Sequence, residues 1–162
     1  MPRLLDTNVF ITAKNTYYGL DLVPAFWTWL ETQARQGELA STDMVYEELT
    51  AGGDDLADWV RARRDLMFHL ESSSQAVAAH VADLGAWALQ AGYRQHVIED
   101  FMDGADPFLV GVAKELGWSV VTQETPAGAK RKKVKVPDAC DHLGVPWEDT
   151  FEMMRALQAR FG

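Results

Sequence analysis

Cysteine is almost missing from this sequence: Cys140 is the only one in 162 residues. No intrachain disulfide can form, so stability must come from a packed core, as suits a reducing cytoplasm. Long apolar runs are missing too. None approaches the ~20 residues of a membrane-spanning helix, and Met1-Pro2-Arg3-Leu4-Leu5-Asp6 meets an acid too early for a secretory signal. A cytoplasmic protein without membrane attachment is expected. There is no internal repeat, no low-complexity tract and no linker, so residues 1–162 are expected to form one domain. His69, His80, His96 and His142 are scattered, and with one cysteine they make no zinc-type cluster.

Positive charge is also scarce. Fifteen Lys and Arg face 24 Asp and Glu, for a net charge of −9, which argues against a broad phosphate-binding surface. The few bases are unevenly placed. Lys130, Arg131, Lys132, Lys133 and Lys135 fall in one short stretch without an acid among them; setting them aside leaves 10 basic residues against 24 acidic ones. Such a segment is either a phosphate-tracking edge beside an acidic centre or a solvated loop. The rest is ordinary for a globular domain, with 48% hydrophobic and 24% charged residues and six tryptophans spread as anchors for several elements.

The pattern alternates strand and helix. Residues 3–6 form a short apolar run that ends in Asp-Thr-Asn, as a buried strand feeding a helix would end. Pro24 opens a helix over residues 24–36 that Gly37 closes. A strand is expected over 39–41, then helices over 43–50 and 54–64, a short strand over 66–70, and helices over 74–91 and 93–102. Gly104 breaks the chain before Asp106-Pro107 starts a helix that ends at Gly117. Residues 118–122 carry the clearest strand pattern. Residues 133–136 alternate like an exposed strand, and helices are expected over 137–143 and 148–161. Strands separated by helices imply right-handed crossovers and a parallel sheet covered on both faces. Ligands of such sheets collect beyond the C-terminal strand ends.

Four acids fall at or near those ends, each with a plain structural reading beside the chemical one. Asp6, with Thr7 and Asn8, either caps the following helix or exposes a carboxylate at the sheet edge. Glu48 is either solvated or, at ~100° per residue, on the same stripe as Met44, Val45 and Leu49, while Glu47 points away. Asp106 before proline is a standard helix start as much as a ligand, with Asp103 in reserve. Glu124 follows the 118–122 strand by two residues. Gathered at the mouth of one sheet, four carboxylates repel, and a cation between them would relieve that. An all-oxygen set favours Mg²⁺ or Mn²⁺.

With those residues in view, the chain resembles the PIN-domain family, which includes the VapC-type toxins of bacterial toxin–antitoxin pairs. The resemblance rests on Leu4-Leu5-Asp6-Thr7-Asn8-Val9 and on Val45-Tyr46-Glu47-Glu48-Leu49 ahead of Gly52. It continues through Ala105-Asp106-Pro107-Phe108-Leu109-Val110, Ala113, Gly117 and Val120-Val121-Thr122-Gln123-Glu124, in the family's order and spacing over nearly the whole chain. Residues 13–19 and 133–138 resemble a less characterised prokaryotic PIN-like subgroup. The resemblance implies a three-layer α/β/α sandwich around a parallel sheet of four to five strands. It implies a metal-dependent endoribonuclease, the toxin of a type II pair, with an RNA substrate, an antitoxin partner and a homodimer. Asp6, Glu48 and Asp106 resemble the core metal ligands and catalytic acids, Glu124 the fourth acid, and Asn8 and Thr122 the polar residues that orient the cluster. Tyr17 and Tyr18 would stack unpaired bases, and the basic stretch would follow the backbone. Three features depart from the family pattern: Glu where the fourth acid is often Asp, a long segment between Glu48 and Asp106, and the acidic body.

Two rival readings have their own signatures. A haloacid dehalogenase-type phosphatase also starts from an acid after the first strand, but it needs a second aspartate where this chain has Asn8. A non-catalytic PIN fold kept for binding RNA or a protein would bind without cleaving.

Overall fold

The computed structural model describes residues 1–161. Four strands and ten helices are found among them: β1 (Arg3–Leu5), α1 (Thr7–Asn15), α2 (Pro24–Arg35), β2 (Leu39–Ala40), α3 (Asp43–Thr50), α4 (Asp55–Arg61), α5 (Arg64–Met67), α6 (Gln75–Gln90), α7 (Gln95–Asp103), α8 (Asp106–Leu116), β3 (Ser119–Val121), α9 (Val136–Leu143), β4 (Trp147–Glu148) and α10 (Thr150–Ala156). The sheet runs β2-β1-β3-β4 with every neighbouring pair parallel. Helices flank it, as the alternation of strand and helix predicts.

The two central strands are short and dry. Leu4, Leu5, Val120 and Val121 are wholly buried, as expected of strands covered on both faces. Register brings Leu5 beside Val121 and Val121 beside Glu148. The residues that follow β1 and β3, Asp6 and Thr122, therefore emerge side by side. The Asp6 amide donates to Val121 O at 2.9 Å, and the Thr122 amide to Glu148 O at 2.9 Å.

Helix starts and stops follow local chemistry. Thr42, Asp54, Ser74 and Asp149 cap α3, α4, α6 and α10 through side-chain oxygens that accept from Val45, Ala57, Val77 and Glu152 amides. Gly117 ends α8 at φ 71° and Gly144 ends α9 at φ 70°, the left-handed region that glycine enters without strain. Between α6 and α8, Gly111 leaves so little room that an added Cβ would lie 3.3 Å from Val77 Cγ1. Aromatic side chains lock α2 to its neighbours: the Trp27 and Trp59 rings meet edge-on at 5.0 Å, and Phe26 stacks on Tyr18 at 4.5 Å.

Three expected elements differ. Residues 66–70 are not a strand: α5 occupies Arg64–Met67, and only an isolated bridge joins Leu70 to Thr42. The segment is too short after its helical turn to pair further. Residues 133–135 are irregular and Val136 begins α9. The alternation there is real, because Val134 and Val136 are wholly buried, but no strand pairs with the segment. Residues 147–148 are the edge strand β4, and the closing helix starts after it at Thr150. A two-residue strand is too short to show a period of two.

Candidate active site

One open cavity of about 340 Å³ lies beyond the C-terminal ends of the central strands. Asp6, Asn8, Glu48, Asp106, Glu124 and Lys133 line it, together with Thr7 and Asp100.

Asp6 stands at the N-cap position of α1, yet its side chain makes no capping hydrogen bond. Its carboxylate instead accepts from the Thr122 hydroxyl at 2.8 Å and is 2% exposed. Thr122 Oγ1 in turn accepts from Asn8 Nδ2 at 3.3 Å and from the Glu124 amide at 3.1 Å. Asn8 Oδ1 accepts from the Gln123 amide at 2.9 Å. This chain of partners ties the start of α1 to the end of β3 and fixes the Asp6 rotamer. Because Asn8 is neutral and spent on this network, no second acid stands two residues after Asp6.

Asp106 is the first residue of α8. Ala105 takes the N-cap position, and the Asp106 side chain makes no capping bond. Its carboxylate has no hydrogen bond or ion pair among the described residues and is left facing the cavity. Glu48 reaches the same cavity from α3, where Oε2 accepts from Thr7 Oγ1 at 2.8 Å and Oε1 from the Ala105 amide at 3.0 Å. The apolar stripe predicts a buried Glu48; the residue is exposed instead, because α3 forms the open rim at that point. Its two bonds still link α3 to α1 and to the start of α8. Glu124 is held differently: Oε1 accepts from the Val136 amide at 3.3 Å, and Oε2 lies 3.5 Å from Lys133 Nζ and 3.6 Å from Lys135 Nζ.

The cost of this arrangement appears in the proton affinities. Burial, and after it the charge of Asp106, pushes Asp6 up to about 8. Burial and then Glu124 push Asp106 up to about 6, with Lys133 pulling back. Both acids are thus short of positive charge. Among the described residues no three Asp, Glu, His or Cys side chains are gathered tightly enough to grip one ion; Glu48 and Glu124 are turned onto partners of their own. The donor chemistry nonetheless fits a hard divalent cation. Every candidate donor is a carboxylate oxygen, and Asp6 and Asp106 are carboxylates that burial and mutual repulsion leave under-neutralised.

Other sequence candidates lie elsewhere. Asp103 is exposed at the end of α7 and does not line the cavity, whereas Asp100, three residues earlier, does. Tyr17 is 75% exposed beside a smaller pocket, while the Tyr18 ring is stacked on Phe26. The basic stretch divides. Lys133 and Lys135 meet Glu124, whereas Lys130, Arg131 and Lys132 line a second cavity with Arg94 and His96. Residues that the sequence reading passed over are Thr7, Asp100, Gln123, Arg94 and His96. Only Thr7 had a local signal, its place beside Asp6; the others need the fold to bring them in.

The comparisons with known proteins bear on fold and family. A family model described as "Domain of unknown function (DUF4411)" matches residues 4–161. No curated protein matches the sequence. Among solved structures, the chain is similar to the crystal structure of VapBC2 from Rickettsia felis bound to a DNA fragment from their promoter. The TM-score is 0.58 at 16% identity, over 92% of this chain and 98% of that one. The fold is PIN-like: an α/β unit with a four-stranded parallel sheet flanked by helices.

Proposed function

The chain belongs to the DUF4411 family, a domain of unknown function, and from its site we propose that it is a metal-dependent endoribonuclease, the toxin of a type II toxin–antitoxin pair. The observation that carries this reading is the pair Asp6 and Asp106. They come from different strand and helix ends into one cavity, and each is driven up in proton affinity by burial and by neighbouring acids. Asp6, Asp106 and Glu48 would hold Mg²⁺ or Mn²⁺, with Glu124 as the fourth acid of the cavity. The bound ion would supply the Lewis acidity that activates water and steadies charge on the phosphate.

The remaining residues act without the ion. Thr122 and Asn8 keep Asp6 in one orientation. Thr7 and the Ala105 amide do the same for Glu48. Lys130, Arg131 and Lys132, with Arg94 and His96, present a basic surface to the RNA backbone. Tyr17 offers a free ring for an unpaired base. The PIN-like fold and its likeness to a VapBC2 structure support an antitoxin partner, the resemblance to PIN toxins supports a homodimer, and the single cysteine supports a cytoplasmic setting. No helix among the described residues is long and apolar enough to cross a membrane.

Purified protein incubated with a mixed RNA pool should cleave it in Mn²⁺ and not in EDTA. Asp106→Asn in Mn²⁺ should lose activity by about 100-fold or more, the scale of removing a group that stabilises developing charge. Cleavage by all three samples would end the reading. Expression of the wild type, and not of Asp106→Asn, should slow growth if the chain is a toxin.

The engagement of Glu48 and Glu124 on partners of their own favours a second reading: a PIN-like fold that binds RNA or a protein without cutting. That reading predicts RNA binding indifferent to chelator and an intact pool in every tube.

A further inference from the structure

Glu124 occupies the fourth acidic position of the cavity, and both of its oxygens are already engaged. Oε1 accepts from the Val136 amide; Oε2 faces two ammonium groups, Lys133 Nζ at 3.5 Å and Lys135 Nζ at 3.6 Å. The Glu124 side chain is only 10% exposed, against 62% for Lys133 and 33% for Lys135, so the carboxylate is the fixed member of the group. Its own amide donates to Thr122 Oγ1, the hydroxyl that holds Asp6. Glu124 is thereby coupled through one residue to the centre of the cavity.

The backbone that carries the lysines is held by its valines. Val134 and Val136 are wholly buried, which turns the alternate residues Lys133 and Lys135 to the other side of the segment, toward Glu124. A solvated turn would leave at least one of these valines in water. Lys133 also lines the cavity beside Asp6 and Asp106. One cation therefore lines a site that also holds five carboxylates, and a second, Lys135, stands behind it on Glu124.

We infer that Glu124 is a positioning residue rather than a ligand of the divalent ion, and that it holds Lys133 and Lys135 where their ammonium groups bind the phosphate of the RNA substrate. This rests on the ribonuclease reading and deepens it. A carboxylate within 4 Å of two ammonium groups is already neutralised. Swinging it onto a divalent ion would leave both lysines unpaired beside a second positive charge. An incoming phosphate is the better partner for that surplus: it brings negative charge to the two lysines while Asp6 and Asp106 remain available to the metal. Lysine suits the task as a point charge for phosphate.

The test separates the two ligands. Mn²⁺ titrated into the metal-free protein by calorimetry should bind Asp106→Asn more weakly by about tenfold or more, and Glu124→Gln as it binds the wild type. Labelled single-stranded RNA, bound in Ca²⁺ at several salt concentrations, should lose about tenfold in affinity to Lys133→Met, with a salt slope shallower by about one. Lys133→Arg should restore most of the loss, and Glu124→Gln should move RNA affinity in the same direction by less. Loss of Mn²⁺ binding in Glu124→Gln equal to that in Asp106→Asn would overturn the inference. So would unchanged RNA affinity and salt slope in Lys133→Met. If the wild type neither binds nor cleaves RNA, the ribonuclease reading and the phosphate role of the lysines fail together. The Mn²⁺ arm, which uses no RNA, still decides whether Glu124 is a ligand.

Discussion

The two polar cavities of this protein are built by opposite rules. The acidic one is assembled from the ends of β1, α3 and β3 and the start of α8, and three of its carboxylates, Asp6, Glu48 and Glu124, are tied by hydrogen bonds to named neighbours. The basic one, of about 370 Å³, is lined by exposed Arg94, His96, Lys130, Arg131 and Lys132. None of these five makes an ion pair among the described residues; Arg131 only lies over the Tyr93 ring, 5.7 Å from its centroid. Chemistry on a bond needs atoms held to a fraction of an ångström, which backbone-anchored side chains provide. Attraction of a polyanion needs only charge of the right sign nearby, which mobile surface side chains supply. The difference teaches where to expect strain: in the acidic cavity, not the basic one.

The largest effect should come from neutralising that strain. Asp6 binds its proton more tightly in the folded chain than in the unfolded one, having risen from 3.8 to about 8. Folding therefore takes up protons between those values, and the metal-free protein should lose stability as pH rises through that window. Melting in EDTA should show the transition falling from pH 5 to pH 8. Asp6→Asn keeps an acceptor for Thr122 and removes the charge, and it should melt higher at pH 8 by about 2–4 °C for each kcal/mol recovered. Saturating Mn²⁺ should reverse the wild-type trend, since the ion takes the charged form. A flat wild-type profile in EDTA would remove the contrast between the cavities.

A smaller effect, on binding alone, should follow from reversing the basic cavity. Arg94→Glu with Arg131→Glu should weaken RNA binding and flatten its salt dependence by about one to two in slope. Mn²⁺ affinity and melting temperature should stay as in the wild type. A change in metal binding would mean that the cavities are coupled. The smallest change concerns the two tyrosines. Tyr17→Ala should alter stability by less than about 0.5 kcal/mol, as an exposed site does. Tyr18→Ala, which loses its stack on Phe26, should cost about 1–2 kcal/mol. Equal melting curves would show that the Tyr18 ring is not part of the core.

Much of this was legible along the chain. The apolar runs after Arg3 and at 118–122, the proline at the start of α8 and the glycines at 37 and 117 place the main elements, since each acts over a few residues. Asp6, Glu48, Asp106 and Glu124 were readable as strand-end or stripe acids, and all four line one cavity. What local pattern missed was short or long-range. The two-residue β4 shows no period, and α5 looked like the start of a strand because its Leu66 and Met67 run on into Phe68 and Leu70, an apolar series that also fits an extended chain. Glu48's exposure depends on how α3 meets the rim, and the placing of Arg94 and His96 in one cavity with Lys130 depends on the start of α7 lying beside a loop distant in the chain.

By itself the sequence determined an α/β chain with a parallel sheet, its dry central strands and the order in which its acids arrive, because hydrophobic period and turn chemistry are properties of neighbouring residues. Only the tertiary structure decided which carboxylates stay free and which are claimed. Asp106 caps nothing and faces the cavity, Glu48 is taken by Thr7 and Ala105, and Glu124 is taken by Val136, Lys133 and Lys135. A carboxylate's role is set by burial and by the charges within a few ångströms of it, and those neighbours come from parts of the chain as far apart as Asp6 and Thr122.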